Sequence, residues 1–303
     1  MVKKVTLVVS AESPQLDEDE ATLPQALTDR GLEVDIRAWD DPSVDWNNAG
    51  ICVLRSVPNY ALDRDVFLKW AHSVPRLLNY SSILEWNTDK HYLQALEGHG
   101  MPIVPTTWLE PEQNLSKHQV HTRFPAHGDF VVKSAVSSGG RWIGRYTSTD
   151  PYQRMDAIEH AMELLGEGRS VMVQRYLKEV DRSGEISLVY FNGLISHTVR
   201  KNALLHPWAR STEEIHEQIA TARQASELDW SWGEQIRHAV HSYIKENLGR
   251  DAQILYSRVD VVSDSKGGFY VMEVSMVDGS LYLKSTPDGV DNFADAIAQR
   301  AYW

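Results

Sequence analysis

The chain has 303 residues, 42% hydrophobic and 24% charged, enough for about two or three structural units with ordinary cores. Its 30 basic and 42 acidic residues give a net charge of −12, which excludes a surface built for nucleic acid or for an anionic membrane. A single cysteine, Cys52 in the apolar run Ile51–Leu54, excludes an intramolecular disulfide, and no stretch reaches the roughly 20 apolar residues of a membrane span. The run Val5–Val9 is too short for a signal-peptide core, so the expectation is a soluble cytoplasmic protein.

Residues 1–85 alternate strand and helix. Val5–Val9, Val34–Ala38 and Ile51–Arg55 read as strands, and Thr22–Arg30 and Val66–His72 as helices, with Gly31 ending the first. This rhythm predicts a parallel sheet with ligand crevices at the carboxyl ends of its strands. Arg55 and Ser56 follow such an end and are candidates for gripping a substrate. Pro58 and Asn59 make the same stretch read equally well as a plain turn.

Asn87-Thr88-Asp89-Lys90 opens a predicted helix over Lys90–Glu97. Asp89 suits a helix N-terminus, whereas Lys90 opposes the macrodipole there, which points to a use other than helix stability or to plain exposure. Phe130–Lys133 is a buried-looking strand that ends in a lysine, and Arg141–Tyr146 is the next strand. Between them Ser137, Ser138, Gly139 and Gly140 form a flexible hairpin able to present N–H groups and hydroxyls to phosphate oxygens. Val171–Gln174 is a further strand leading into Arg175, Tyr176 and Leu177.

Ile186–Phe191 and Leu194–Lys201 flank Asn192-Gly193, a strong hairpin signal, with Glu185 and Lys201 near its outer ends. The polar stretch Ser211–Leu228 reads as a solvated helix. Ser231-Trp232-Gly233-Glu234 has the form of a capping box for a second helix, whose apolar stripe is Ile236, Val240, Tyr243, Ile244 and Leu248. Ile254–Val262 and Phe269–Met276 then form a strand pair, with Arg258 and Asp260 on one face of the first and Glu273 and Ser275 on one face of the second. If the faces coincide, two carboxylates meet at a cost that a cation between them would offset, and oxygen donors suit a hard ion such as Mg²⁺. An exposed Arg258–Asp260 ion pair with Glu273 separately solvated is an equal reading of the pattern.

Other chemistries lack their signatures. No H-E-x-x-H spacing relates the 12 histidines, and the sequence contains no G-x-x-x-x-G-K-[ST] loop, no G-x-G-x-x-G after a strand and no G-x-S-x-G elbow. What remains is a dispersed set: Lys90, Lys133, the Ser/Gly hairpin, Gln174–Leu177, Glu185, Lys201, and the Arg-x-Asp and Glu-x-Ser strands.

In this order those residues resemble the ATP-grasp superfamily, over roughly Glu85 to Lys284. The resemblance implies an α/β (α+β) ATP-grasp fold. Its parts would be an N-terminal parallel βα domain (1–88), a small central β-rich domain (89–173) and a C-terminal antiparallel sheet domain (174–303). It implies ATP and Mg²⁺ as cofactors. Lys90, Lys133 and the loop Ser137–Gly140 would hold phosphates, Gln174, Arg175, Tyr176 and Leu177 the adenine, and Glu185 the ribose. Arg258 and Lys201 would serve catalysis, and Asp260 and Glu273 the metal. Ser275 stands where the superfamily usually has asparagine or another metal-binding residue, so water or Asp278 is the alternative donor for a second ion.

Val53–Ser56, Glu85–Lys90, Gly184–Leu188, Ser196–Lys201 and Ser280–Leu283 are similar to the branch that includes the cyclo-ligase forming cycloserine from O-ureido-D-serine. The resemblance implies a ligase that activates a carboxylate as an acyl-phosphate and closes it with the substrate's own nitrogen. A bimolecular amino-acid or dipeptide ligase and a non-catalytic nucleotide binder are the alternatives. The expected partner is a small amino-acid-like substrate, gripped by Arg55, Ser56 and Arg200, with neither nucleic acid nor membrane and with a homodimer compatible.

Overall fold

The structure is a computed structural model that describes residues 3–211, 218–249, 253–264 and 266–303. Strands β1 (Lys3–Val9), β2 (Leu32–Ala38), β3 (Ile51–Leu54) and β4 (Leu77–Leu78) form a parallel sheet in the order β2-β1-β3-β4. Val5 pairs with Val34 on one side and Ile51 on the other, so the apolar runs lie side by side. Helices α1 (Leu23–Asp29) and α2 (Arg64–Ser73) supply the crossovers, and the Asp63 carboxylate caps α2 by accepting the Val66 N–H at 3.1 Å. Cys52 is fully buried in this sheet, where burial pushes its thiol up to about 12, as expected of a small hydrophobe.

Helices α3 (Ser81–Asn87) and α4 (Tyr92–Gly98) lead into the second sheet. It consists of β5 (Thr106–Leu109), β6 (Asp129–Ser134), β7 (Ile143–Thr147) and β8 (Val171–Arg175), joined by a short later strand. Helix α5 (Lys117–Arg123) and the long α6 (Pro151–Gly166) cover one face, with Ala157, Ile158, Ala161 and Leu164 packing on Phe130, Val132, Val171 and Val173.

After the short α7 (Glu179–Ser183) comes the hairpin β9 (Glu185–Phe191) and β10 (Leu194–Lys201). Asn192 and Gly193 have φ of 48° and 81°, the paired positive values that a two-residue turn of this hand requires. β11 (Arg210–Ser211) then crosses to pair with β7, completing the order β11-β7-β6-β8-β5. β12 (Ala220–Arg223), helix α8 (Glu227–Asn247), β13 (Tyr256–Ser263) and β14 (Phe269–Ser275) follow, and the antiparallel third sheet runs β12-β10-β9-β13-β14. Ile236, Val240 and Ile244 of α8 pack on Leu188, Val259 and Val271, each fully buried side chain contributing ~1.5–3 kcal/mol. The last helix, α9 (Gly289–Tyr302), joins the first and third sheets by packing Phe293 and Ile297 against Leu23, Val5 and Val189.

Several expectations are corrected. The helix expected from Lys90 begins at Tyr92, because the Asp89 carboxylate accepts the His91 N–H at 3.0 Å and holds the chain in a turn. Ser211–Leu228 is not a helix: its described parts are the end of β11, the strand β12 and the start of α8, while residues 212–217 lie outside the described residues. The true capping box is Ser226 with Asp229, so Ser231 lies inside α8 and Glu234 pairs with Arg237 at 2.7 Å. A division after residue 173 cuts β8, which runs on to Arg175. Among the described residues no helix is long and apolar enough to cross a membrane.

Candidate active site

The pairing of β13 with β14 sets Arg258 opposite Ser275 and Asp260 opposite Glu273. A bulge follows: Val261 pairs with Val271, leaving Met272 as the extra residue. That bulge lets Val271 turn into the core while Glu273, two residues on, faces the other side with Asp260. On the opposite flank β9 sets Ser187 beside Asp260, and the β9–β10 register pairs Glu185 with Lys201.

Asp260 is the hub of this face. Its Oδ1 accepts from Ser187 Oγ at 2.6 Å and Arg258 Nε at 3.0 Å, and its Oδ2 accepts from Lys201 Nζ at 2.7 Å and Arg258 Nη2 at 3.0 Å. Burial alone would raise its pKa, but Arg258 and Lys201 hold the carboxyl well below the usual range. Burial opposes the charge on Lys201 too, yet Asp260 and Glu185, at 2.7 and 2.9 Å, hold it well above the lysine range. Glu273 is more open. Its nearest cation is Lys90 at 3.7 Å; burial and the Asp260 charge push its pKa up, but Lys90, Arg258 and Lys133 together bring it below the usual value.

The second sheet supplies the facing wall. Lys90 is buried and donates to the Ser137 carbonyl at 3.0 Å and to Ser137 Oγ at 2.9 Å, so it props the loop after β6. Gly139 and Gly140 have φ of 62° and 72°, which turns that loop sharply enough to overhang the site. Lys133, at the end of β6, is also buried; burial, then the charge of Lys90, brings its pKa down to about 8 against the pull of Glu273 and Glu185. Near the end of β8, Gln174 donates to Thr106 Oγ1 at 2.8 Å; just beyond it, Tyr176 N–H donates to the Asp129 carbonyl at 2.9 Å, and the Arg145 guanidinium stacks 3.5 Å from the Tyr176 ring.

These walls enclose a cavity of about 1350 Å³. Lys90, Lys133, Ser137–Gly140, Gln174–Leu177, Glu185, Lys201, Arg258, Asp260, Glu273, Ser275 and Ser56 all line it. Arg55 and Arg200 do not. Arg55 is buried, bonded to Glu20 at 2.9 and 3.0 Å and packed on the rings of Tyr256 and Phe293, so it holds the fold together rather than gripping a substrate. Arg200 is exposed, because alternation along β10 turns it away when Lys201 faces inward.

Comparison with known proteins agrees with this geometry. Residues 5–79 match the family described as the N-terminal domain of the D-cycloserine synthetase DcsG. The cycloserine biosynthesis protein DcsG of Streptomyces lavendulae is 30% identical over 98% of both chains. The chain belongs to the DcsG family. It superposes on the crystal structure of D-cycloserine synthetase DcsG with a TM-score of 0.85 and 30% identity, over 98% of this chain and 99% of that one. The D-alanine–D-alanine ligase of Bacillus anthracis in complex with ATP shares the fold, with a TM-score of 0.67 and 14% identity over 99% and 98% of the two chains. This DcsG-family member therefore has the ATP-grasp fold and is an ATP-dependent ligase forming C–N bonds.

Two wall residues, Tyr282 and Arg141, escaped the sequence reading, and a third, Asp278, entered it only as an alternative metal donor. Asp278 accepts from the Val57 N–H at 3.0 Å and from the Ser138 hydroxyl, and burial pushes it up to about 6 against those bonds. Tyr282, at φ 52°, brings its ring within 5.7 Å of the Arg258 guanidinium, and Arg141 donates to the Pro58 carbonyl at 2.6 Å. None lies on a periodic element; only the odd acid in Val277-Asp278-Gly279 offered a signal. For a metal, no cluster of three acidic, histidine or cysteine residues is assembled among the described residues. Two carboxylates on one face still fit Mg²⁺, which takes few protein ligands and fills its shell with water and phosphate. Glu273 has the free lone pairs, whereas both oxygens of Asp260 are saturated by four donors.

Proposed function

We propose that this DcsG-family ligase closes O-ureido-D-serine into D-cycloserine, using ATP to activate the amino acid's own carboxylate. The observation that carries the reading is the convergence of Lys90, Lys133, Lys201 and Arg258 on one cavity with Asp260 and Glu273. It is supported by the match to DcsG along the whole chain.

Lys90 and Lys133 lie where they would hold the phosphates under the Ser137–Gly140 loop. Glu273 would hold Mg²⁺, with Asp260 joining only if its bonds to Lys201 or Arg258 yield. When bound, the ion offsets phosphate charge and aligns the terminal phosphate. The substrate carboxylate attacks the γ-phosphate in line, the bond to the bridging oxygen breaks, ADP leaves and an acyl-phosphate forms, a step that needs positioning and positive charge more than a protein nucleophile. The ureido nitrogen bonded to oxygen then attacks the acyl carbon, phosphate leaves and that nitrogen loses its proton; water then removes its carbamoyl group as carbon dioxide and ammonia, which leaves D-cycloserine. An overhanging loop keeps water from the mixed anhydride meanwhile.

Intramolecular closure is favoured over a two-substrate ligase by the state of Arg258. It donates Nε and Nη2 to Asp260 and Nη1 to the Ser280 carbonyl at 2.9 Å, with Ser275 Oγ at 3.4 Å from Nη2. Three of its five N–H donors are thereby committed within the protein, which reduces what it can offer the carboxylate of a second amino acid. An internal nitrogen has no need of that grip, since its effective concentration reaches ~10⁵ M or more in well-oriented cases.

The test supplies ATP, Mg²⁺ and O-ureido-D-serine and identifies the product by mass. The expected product is D-cycloserine, with no second amine required. Absence of the ring would end the proposal, and a strict need for two amino acids would establish a bimolecular ligase.

A further inference from the structure

The loop that overhangs the cavity is held from outside its own sheet. Tyr60 Oη donates to the Ser137 carbonyl at 3.3 Å, and Arg141, just after the loop, donates to the Pro58 carbonyl at 2.6 Å. Both partners belong to residues 57–60, which follow the carboxyl end of β3 in the first sheet. Asp278, beyond the end of β14, stands between the two segments. One carboxylate oxygen accepts the Val57 N–H at 3.0 Å and the other accepts the Ser138 hydroxyl. Its backbone is fixed as well: the next two carbonyls, of Gly279 and Ser280, accept from Arg55 at 3.4 Å and Arg258 at 2.9 Å.

We propose that Asp278 is a positioning residue that latches the Ser137–Gly140 loop over the cavity by joining the Ser138 hydroxyl to the backbone of Val57. The latch rests on the ligase reading above, since its purpose is to keep water from an activated carboxylate. It also ties loop closure to the segment beginning at Ser56, where a small substrate entering at the strand ends would lie. A carboxylate suits the task because it accepts both bonds at once and strengthens each by its charge. An amide in its place keeps one acceptor oxygen and loses the other.

The test measures phosphate released per ring formed, in the full chain with O-ureido-D-serine, for Asp278→Ala, Asp278→Asn, Ser138→Ala and the Asp278→Ala/Ser138→Ala pair. The latch predicts that Asp278→Ala and Ser138→Ala each raise this ratio by about tenfold, the weight of one charge-assisted hydrogen bond. The pair should be no worse than the poorer single variant, and Asp278→Asn should fall between wild type and Asp278→Ala. A folded Asp278→Ala with the wild-type ratio overturns the proposal. If Asp278→Ala does not fold, Ser138→Ala decides in the same way, since it removes only a hydroxyl. A second arm needs no amino acid: hydrogen exchange of residues 137–141 with a non-hydrolysable ATP analogue bound. Exchange about tenfold faster in the variants supports the latch and unchanged exchange overturns it. If wild type forms no ring, the substrate reading fails and this arm still judges Asp278.

Discussion

Asp260 and Glu273 face each other across β13 and β14, yet their carboxylates are held by different cations. Asp260 is enclosed by Lys201, Arg258 and Ser187, whereas among the described residues Glu273 has a single ion pair, with Lys90 at 3.7 Å, and feels Arg258 and Lys133 from further off. Glu273→Gln should therefore lower Mg²⁺-dependent ADP formation by ~10²-fold or more, as for loss of one key electrostatic group. Its thermal stability should barely move, since the pair it breaks is long and half-open. Asp260→Asn should lose activity and also about 3 kcal/mol of stability, because two buried cations lose their counter-charge. Phosphate release and thermal melting on both variants check this. Near-normal turnover in Glu273→Gln would remove the metal assignment, and equal melting of the two variants would remove the distinction.

Ser275 is a gentler case. Its hydroxyl lies 3.4 Å from Arg258 Nη2, a contact too long to weigh much. Ser275→Ala should slow ADP formation less than about tenfold, roughly the value of one neutral hydrogen bond. A loss as deep as that of Glu273→Gln would make the serine a metal ligand.

Arg55 should reveal itself through stability. With Glu20 it forms a buried pair against Tyr256 and Phe293, so Arg55→Ala strands a buried carboxylate and should cost ~3–5 kcal/mol. Arg55→Met combined with Glu20→Leu should recover most of that loss, because an apolar pair leaves no charge uncompensated. Chemical denaturation measures both. An unchanged midpoint together with a raised KM for the amino acid would restore Arg55 as a substrate contact.

The chain announces its strands better than its connections. Asn192-Gly193 fixes the hairpin, and with it the Glu185–Lys201 pairing, because two positive φ values are cheap only for such residues. The Arg258, Asp260, Glu273, Ser275 face follows from alternation, but alternation alone puts Val271 on the same side as Glu273. Only the bulge at Met272, a product of packing with β13, separates them. Helix α6 was missed although Asp150-Pro151 signals its start, because buried Gln153 and His160 interrupt its apolar stripe. The polar stretch after Ser211 looked helical because its strands find partners only in distant β7 and β10. Arg55 and Arg200 looked alike as basic residues near the ends of predicted strands; one meets Glu20 in the core and the other faces solvent, and no local pattern separates those fates.

Lys133 gives a pH dependence with a definite sign. Burial first, then the Lys90 charge, brings its pKa down to about 8, against about 10.4 in an unfolded chain. Between those values the unfolded chain keeps a proton that the native one has released. This group's contribution to the nucleotide-free protein is therefore fully present above the unfolded value and lost as pH falls through about 8. Nucleotide binding runs the other way, because phosphates attract the charged form. Affinity for a non-hydrolysable ATP analogue should fall as pH rises past about 8, and binding near that pH should take up a proton. Lys133→Arg keeps its charge throughout and should flatten the profile, whereas Lys133→Ala should be weak at every pH. Calorimetry in two buffers of different ionisation enthalpy reads the proton directly. Uptake that is the same in wild type and in Lys133→Arg would mean that the proton belongs to another group, and that Lys133 is already charged before the nucleotide arrives.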